Sequence, residues 1–424
     1  MTAEVLVMNK QGVALAADSA ATIRGRKVYN SANKLFRLSK RSSIGVLVYA
    51  NSELNGVPLE ILIKNFRSSH QDPWSTVNAC AKSFLDFLTT NTVASSEREN
   101  YYVFSIVQEI CFQLTDKYRL YTGRRDLSKD RQRSFLNLAI DDELKEISSC
   151  TPFNESELND LITTTYKQSI FEFVNDWFTQ KLTEAFELPN EDVEKIVTLC
   201  IRALHTVNKY SSMSGIVITG YGSDEFFPSY VEYQIYGILC GKLLYEERKS
   251  EQISLQKNAI IAPFAQRDVI DTFITGIDPN FEPQLNKTLE QVRLAADELI
   301  DKVPGMKSSA LKTILTPVFK QTLTNYHQEI LNAFSSTLNI QKMNNVQDII
   351  LALSSLSIPD LAQMAKNLVE ITSFKRMVSS DIGTVGGPID VAVISKGDGF
   401  IWIDRKHYFT RDRNEHFFDN YKEK

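Results

Sequence analysis

The sequence lacks any long apolar run. A helix that spans a bilayer needs roughly 20 consecutive apolar residues, and no stretch of the 424 residues approaches that length. The N-terminus also lacks a basic segment followed by an apolar one, which a secretory signal would contain. These absences predict a cytoplasmic protein with no membrane contact.

Cysteine and histidine are both scarce. There are five residues of each type, scattered along the chain without the spacing of a zinc site. An odd number of widely separated cysteines suits a reducing compartment. We therefore expect no bound metal ion and no catalytic site built on a Ser-His-Asp triad.

An excess of positive charge is missing as well. The chain has 47 Lys and Arg residues against 52 Asp and Glu residues, a formal net charge of −5. A general nucleic-acid binder needs a basic surface, so we expect no nucleic-acid partner. Internal repeats and Gly/Ser linkers are also absent. The length still allows either two domains or one layered core with large insertions.

What is present is an alternation of strand-like and helix-like segments. Residues 3–8 and 12–17 are apolar runs joined by a polar connection that ends in Gly12, which predicts a β-hairpin. Further strands are predicted at residues 34–38, 44–50, 215–220, 230–237, 258–262, 388–395 and 400–403. Strand runs that alternate with helix runs predict an α+β fold.

Helical periodicity fills the rest of the chain. Two helices follow residue 53, and the pattern stays helical from about residue 101 to 210. A short helix is predicted at residues 266–276 and an amphipathic helix before Pro304. One or two more helices cover residues 346–377, and Pro359 marks the start of the last.

The N-terminus places a hydroxyl beside an α-amine. A methionine before a small residue is normally removed, which would expose Thr2 with its amine free. A threonine hydroxyl needs a base, and an α-amine with a pKa of about 7.7–8.0 can serve at neutral pH. A lysine ammonium would favour the neutral amine, and a carboxylate would orient that lysine. Lys34 and Asp18 are candidates, although many chains begin with Met-Thr and carry Asp and Lys residues without catalytic roles.

Motifs around these residues carry a family resemblance. The segment Gly12-Val-Ala-Leu-Ala-Ala-Asp18-Ser19 and the later Lys34-Leu-Phe-Arg-Leu38 stand at matching distances from Thr2. This arrangement resembles proteasome β-subunits and the peptidase subunit of their bacterial ATP-dependent relative, which are N-terminal-nucleophile hydrolases. Weaker matches at residues 211–221 and 371–403 extend the resemblance to roughly residues 2–92, 211–276 and 345–403.

The resemblance implies a fold that composition alone does not. It implies a four-layer αββα sandwich of antiparallel sheets, formed as one domain over residues 2–403. Helical insertions would interrupt that domain at about 100–210 and about 280–340, and a C-terminal tail would follow at 404–424.

The resemblance also implies a set of site residues. Thr2 would be the nucleophile, Lys34 would stabilise its amine and alkoxide, and Asp18 would orient the lysine. The family's oxyanion turn is Ala-Gly-Gly, whereas this chain has Tyr49-Ala50-Asn51, so the Ala50 N–H takes that role. The family's serine near the threonine amine best matches Ser212.

Two of these matches leave alternatives. Ser214 competes with Ser212 for the serine position. The family's Asp and Ser correspond loosely to Asp381 and Thr384, but by strict count Ile382 and Val385 stand there. Gly386-Gly387-Pro388 could equally be only a turn.

The implied activity is hydrolysis of peptide bonds by Thr2 through an acyl-enzyme, without a cofactor. The implied partners are a peptide or unfolded-protein substrate, further copies in a homo-oligomer, and an ATPase or regulatory protein. Two alternative functions belong to other classes of protein. The same core could be an amidase or acylase for a small molecule, or an inactive scaffold whose helical insertions bind a partner.

Overall fold

A computed structural model of the chain describes residues 3–23, 27–70, 72–90, 95–123, 128–153, 157–181, 188–302, 310–379, 386–407, 409–415 and 419. The described residues form two compact units. The first takes its residues from 1–32, 253–395 and 401–424, and the second from 33–252 and 396–400. No helix in these ranges is both long and apolar enough to cross a membrane.

The strands and helices follow the predicted alternation. The strands are β1 Ala3–Asn9, β2 Val13–Ala17, β3 Ala21–Ile23, β4 Lys27–Tyr29, β5 Leu35–Arg37, β6 Ser43–Ala50, β7 Glu53–Leu54, β8 Val57–Pro58, β9 Ser214–Tyr221, β10 Ser229–Leu239, β11 Lys242–Gln252, β12 Ala259–Ala265, β13 Asp390–Ser395 and β14 Gly399–Asp404. The helices are α1 Leu59–Ser69, α2 Val77–Thr90, α3 Ser96–Thr122, α4 Lys129–Ser148, α5 Leu158–Lys181, α6 Asn190–Leu204, α7 Asp268–Thr275, α8 Phe281–Lys302, α9 Ala310–Ser354 and α10 Ile358–Val378.

A five-stranded sheet with the order β12-β1-β2-β13-β14 is the centre of the first unit. The predicted hairpin is confirmed, because β1 and β2 pair antiparallel with Met8 opposite Val13. The Asn9 N–H closes the connection by donating to the Gly12 carbonyl at 3.0 Å. A side chain at Gly12 would meet the Ile394 carbonyl of β13 at 2.7 Å, so this crossing requires glycine.

Helix α10 covers the sheet of the first unit. Apolar residues of α10 recur every three or four positions, and Leu361, Ala365 and Leu368 are buried in one cluster with Val5 and Val7 of β1. The predicted start of this helix is confirmed, since proline lies in its first turn. The same periodic pattern therefore fixes both the helix and the face that it buries.

Helices α8 and α9 pack against each other in the first unit. Lys342 of α9 donates to Glu282 of α8 at 2.9 Å, and the His327 ring lies 3.4 Å from Glu290. Both pairs cross from one helix to the other, so they identify the side of α9 that faces α8. The helices predicted for residues 280–340 are confirmed within the described ranges.

A second five-stranded sheet, with the order β11-β10-β9-β6-β5, is the centre of the second unit. Antiparallel pairing joins its neighbours, with Val46 of β6 opposite Ile218 of β9. Helices α1 and α2 contribute Phe66 and Phe84, whose rings meet edge to face at 5.1 Å. The sheet and the two helices share one apolar core.

Helices α3 to α6 form their own apolar core within the second unit, which includes Tyr236 and Leu239 of β10. One buried carboxylate lies in this part of the unit. Glu143 of α4 accepts hydrogen bonds from the Tyr210 hydroxyl and from Lys209 Nζ at 3.0 Å, and Lys117 lies at 2.5 Å. Burial alone would raise the pKa of Glu143, but these hydrogen bonds outweigh burial and lower it.

The α+β class and the antiparallel sheets are confirmed, whereas the four-layer order and the single domain over residues 2–403 stay predictions. Three parts of the fold were not predicted: the hairpins β3–β4 and β7–β8, where helical spacing was expected from residue 53, and strand β11. The hairpin β3–β4 lies in a polar segment, and β11 reads Lys-Leu-Leu-Tyr-Glu-Glu-Arg-Lys-Ser-Glu-Gln, which lacks apolar alternation. In the predicted tail, residues 411–413 form one short helical turn.

Candidate functional site

The sequence-predicted site residues fall into three groups. Asp18 lies in the first unit, whereas Lys34, Ala50 and Ser212 lie in the second. Thr2, Asp381 and Thr384 lie outside the described residues, as do the alternatives Ile382 and Val385. Within each unit, the described candidates lie at one end of a sheet.

Asp18 follows the last residue of β2 and is fully buried. Its Oδ1 accepts the Ala3 N–H at 3.0 Å, and its Oδ2 accepts the Gly386 N–H at 3.0 Å and the Ala20 N–H at 3.3 Å. Hydrogen bonds from backbone amides to a carboxylate are charge-assisted and therefore strong. The Asp18 carboxylate thus joins the start of β1, the segment after β2 and the segment before β13.

The segment before β13 makes further contacts with the segment after β2. Ser19 Oγ donates to the Pro388 carbonyl at 2.5 Å, and the Ser19 N–H donates to the Gly386 carbonyl at 3.3 Å. Gly387 has a φ of 78°, and a side chain there would lie 2.7 Å from Asn30 Cβ. Glycine is therefore required at this bend for both conformation and space.

A second buried carboxylate, Glu4, lies on β1 two residues after Thr2. Glu4 pairs across the hairpin with Ala17 of β2, which is the residue that precedes Asp18. Glu4 is not among the site residues predicted from the sequence, because it stands in an apolar run. An acidic residue inside a strand that is otherwise apolar is the signal that could have identified it.

Lys34 immediately precedes β5, and only 6% of its surface is exposed. Its carbonyl accepts the Val48 N–H of β6 at 2.8 Å. Lys34 therefore lies beside Val48, two residues before Ala50, which is the last residue of β6. Both predicted residues lie near the same end of this sheet.

Ala50 has a left-handed backbone with a φ of 63°. An alanine in this conformation costs about 1–2 kcal/mol, and such residues are common at functional sites. Ala50 pairs opposite Ser214 of β9, and the next amide, Asn51 N–H, donates to the Met213 carbonyl at 3.1 Å. Since alternate residues of an antiparallel strand point their amides to opposite sides, the Ala50 N–H points away from β9.

The two serine candidates differ in exposure. Ser212 is exposed, and its Oγ accepts a hydrogen bond from Asn51 Nδ2 at 2.9 Å. Ser214 is buried, and its hydroxyl donates to the Glu53 carbonyl at 2.9 Å. The structure therefore brings Ser212, not Ser214, to the accessible side of the Ala50 turn.

Tyr49 supports this turn from the other side of the strand. Its hydroxyl donates to Glu232 at 2.5 Å, and its ring occupies the space above Gly215, where a side chain would come within 2.0 Å. Burial, followed by the hydrogen bond to Glu232 and the charge of that carboxylate, raises the pKa of Tyr49. The tyrosine is neutral at physiological pH and acts as a hydrogen-bond donor.

Among the described residues, no three His, Cys, Asp or Glu side chains form a group that could hold a metal ion. The Asp18 carboxylate and the hydroxyls of Ser19 and Ser214 are instead hydrogen-bonded to backbone groups.

Comparisons with known proteins give few matches. No family model and no curated protein matches the chain. Solved structures do match, among them the Anbu (Gly-1) mutant from Hyphomicrobium sp. strain MC1, with 9% identity over 100% of this chain and 96% of that one, at a TM-score of 0.28.

Two further matches are of the same kind. Anbu (ancestral beta-subunit) from Yersinia bercovieri has 8% identity over 99% of this chain and 95% of that one, at a TM-score of 0.27. The helical assembly of the Anbu complex from Pseudomonas aeruginosa has 8% identity over 100% of this chain and 95% of that one, at a TM-score of 0.25.

These comparisons correct the family assignment made from the sequence. The matched structures named here are Anbu proteins, and none is described as a threonine peptidase. The assignment of this chain to the proteasome-type threonine peptidases is therefore wrong. At these TM-scores the likeness supports no statement about activity, so the chain's function has to be argued from its own residues.

Proposed function

We propose that the chain is a non-catalytic scaffold protein that binds protein partners through its helices. The observation that carries this proposal is the concentration of exposed large apolar side chains on α8, α9 and α10. Among the described residues they are Phe281, Val292, Leu294, Val318, Phe319, Tyr326, Ile330, Phe334, Ile340, Met343, Leu351, Ile371, Phe374, Met377 and Val378. Exposed apolar patches of this extent are typical of protein-binding surfaces.

The contacts of the predicted site residues support a structural role for them. The Asp18 carboxylate accepts three backbone amides and so connects three segments of the first unit. In the second unit, the two amides after Ala50 are both engaged, because Asn51 N–H donates to Met213 and Ser52 N–H donates to the Asn51 side chain at 3.0 Å. Both amides are therefore bonded to groups of the chain itself.

Light scattering on the full chain, combined with intact mass, tests this proposal. We expect an assembly larger than one chain, the same assembly in Thr2→Ala, and no covalent adduct with an epoxyketone. That reagent bridges the hydroxyl and amine of an N-terminal threonine. A monomer at all concentrations, or an adduct that Thr2→Ala abolishes, would refute the scaffold proposal.

A further inference from the structure

Helix α9 carries an exposed seam with the spacing of a coiled coil. The heptad seam consists of Phe319, Leu323, Tyr326, Ile330, Ala333, Thr337 and Ile340. Steps of four and three residues alternate along it, which is the repeat that lets two helices interlock side chains over several turns. All seam residues except half-buried Leu323 are exposed, and Tyr326 is 61% exposed and Ile330 52% exposed.

The heptad seam is not the side of α9 that contacts α8. His327 and Lys342 mark the α8 side through their contacts with Glu290 and Glu282. Leu338, which is half-buried, lies one residue after the seam position Thr337 and is therefore rotated by about 100° from it. The seam lies on a separate face and has no helix of its own unit against it within the described residues.

The charges around the seam indicate what can dock there. No seam residue is charged, and the positions that flank the seam in the heptad carry one basic residue, Lys320, and one acidic residue, Glu329. A nucleic acid or an anionic lipid surface needs a basic patch, which this face lacks. A second copy of the same face brings an equally uncharged seam, so association places no cluster of like charges together.

The sizes of the seam residues also suit a second copy. When two seams run antiparallel, Phe319 lies opposite Thr337 of the partner subunit and Leu323 opposite the partner's Ala333, so that a large side chain faces a small one in these two layers. In the central layer Tyr326 lies opposite the partner's Ile330, which is an aromatic–aliphatic contact. The seam spans 22 residues, or about 33 Å of helix and three heptads, of which the stretch 319–337 overlaps between the two copies. Three heptads are the length at which such a pattern indicates a coiled coil.

We infer that a second copy of this chain docks on the heptad seam, with α9 antiparallel to α9 about a two-fold axis near Gln328. This inference rests on the scaffold function proposed above and names its partner. The interface is isologous, since the same face of α9 serves both copies.

Light scattering on the full chain tests the docking. The wild type is expected to be a dimer or a multiple of one, and Ile330→Glu is expected to lose that association because each copy would bury an unpaired carboxylate against the partner's Tyr326. Val318→Glu is the matched control, since Val318 is an exposed apolar residue of the same helix outside the seam, 56% exposed. A monomeric wild type, or an equal loss with Val318→Glu, would overturn the inference.

Cysteine cross-linking tests the orientation. A mixture of Phe319→Cys and Thr337→Cys chains is expected to form an intermolecular disulfide, whereas Phe319→Cys alone and Val318→Cys are not. The wild type measures the background from native cysteines. A strong Phe319→Cys homodimer would overturn the antiparallel arrangement.

These outcomes separate the docking from the scaffold function. Assembly that survives Ile330→Glu would overturn the docking and leave the scaffold proposal standing. An epoxyketone adduct that depends on Thr2 would refute the scaffold proposal, while the mass of the dimer would still report on the seam.

Discussion

Replacing Asp18 with asparagine should selectively destabilise the first unit. Asparagine has nearly the same shape but only one acceptor oxygen, so its NH2 group must face either the Ala3 N–H or the amides of Ala20 and Gly386. At least one charge-assisted hydrogen bond, worth about 1.5–3 kcal/mol, is lost, and a buried N–H is left unsatisfied at about 1–3 kcal/mol.

Removing the buried charge offsets part of this loss, so we expect a net destabilisation of about 3 kcal/mol. This corresponds to roughly a hundredfold change in an opening equilibrium. Hydrogen exchange of the amides in β1 and β2 measures it directly, because these strands should open about a hundredfold more often. Amides in β9 and β10 of the second unit should exchange at wild-type rates.

The exposed Asp86 of α2 provides the control, since Asp86→Asn changes the charge equally without touching Asp18. Unchanged exchange in Asp18→Asn, or an equal effect in Asp86→Asn, would show that the carboxylate does not hold these segments together.

Three further predictions concern the second unit. The pKa of Glu143 is lower in the folded protein than in the unfolded chain, so its carboxylate stabilises the fold at pH values above the unfolded pKa. This stabilisation is lost as the pH falls below about 4.3. Glu143→Gln should therefore make the free energy of unfolding less dependent on pH in acid. Gly215→Ala should destabilise by about 1–3 kcal/mol in urea because its methyl group meets the Tyr49 ring, and the same substitution in Tyr49→Ala should cost much less. Ala50→Gly should raise the free energy of unfolding by about 0.5–1 kcal/mol, since glycine accepts the left-handed φ. In urea this appears as a higher midpoint at an unchanged slope.

Each of these has an outcome that would contradict it. Glu143→Gln with the acid transition of the wild type would show that the buried carboxylate stays neutral. A Gly215→Ala penalty that persists in Tyr49→Ala would place the conflict elsewhere in the sheet. Ala333→Gly, at an exposed position of α9, should lower the free energy of unfolding, in contrast to Ala50→Gly, because glycine is unfavourable inside a helix.

Local patterns in the sequence predicted most of the elements. The apolar runs of β1 and β2, with Gly12 between them, needed no tertiary information, because hairpin chemistry is local. Strand β11 was not predicted because it lies at the edge of its sheet, where charged residues are tolerated and apolar residues do not alternate with polar ones.

The site was predictable only in part. The motif around Asp18 predicted a functional-looking carboxylate near the N-terminus, but its contact with Gly386, 368 residues away, depends on tertiary packing. Local spacing likewise favoured Ser212 but left Ser214 as an alternative, and the structure separates them because the Ser214 hydroxyl is buried against the Glu53 carbonyl. The family assignment rested on short motifs and their spacing, and motif matches of this kind carry a false-positive risk.

Native mass spectrometry of the full chain after treatment with an epoxyketone tests the scaffold proposal most directly, because one spectrum reports both the number of chains and any covalent adduct. We predict a species with an even number of chains and no added mass. A monomer, or an adduct on each chain that disappears in Thr2→Ala, would contradict the proposal.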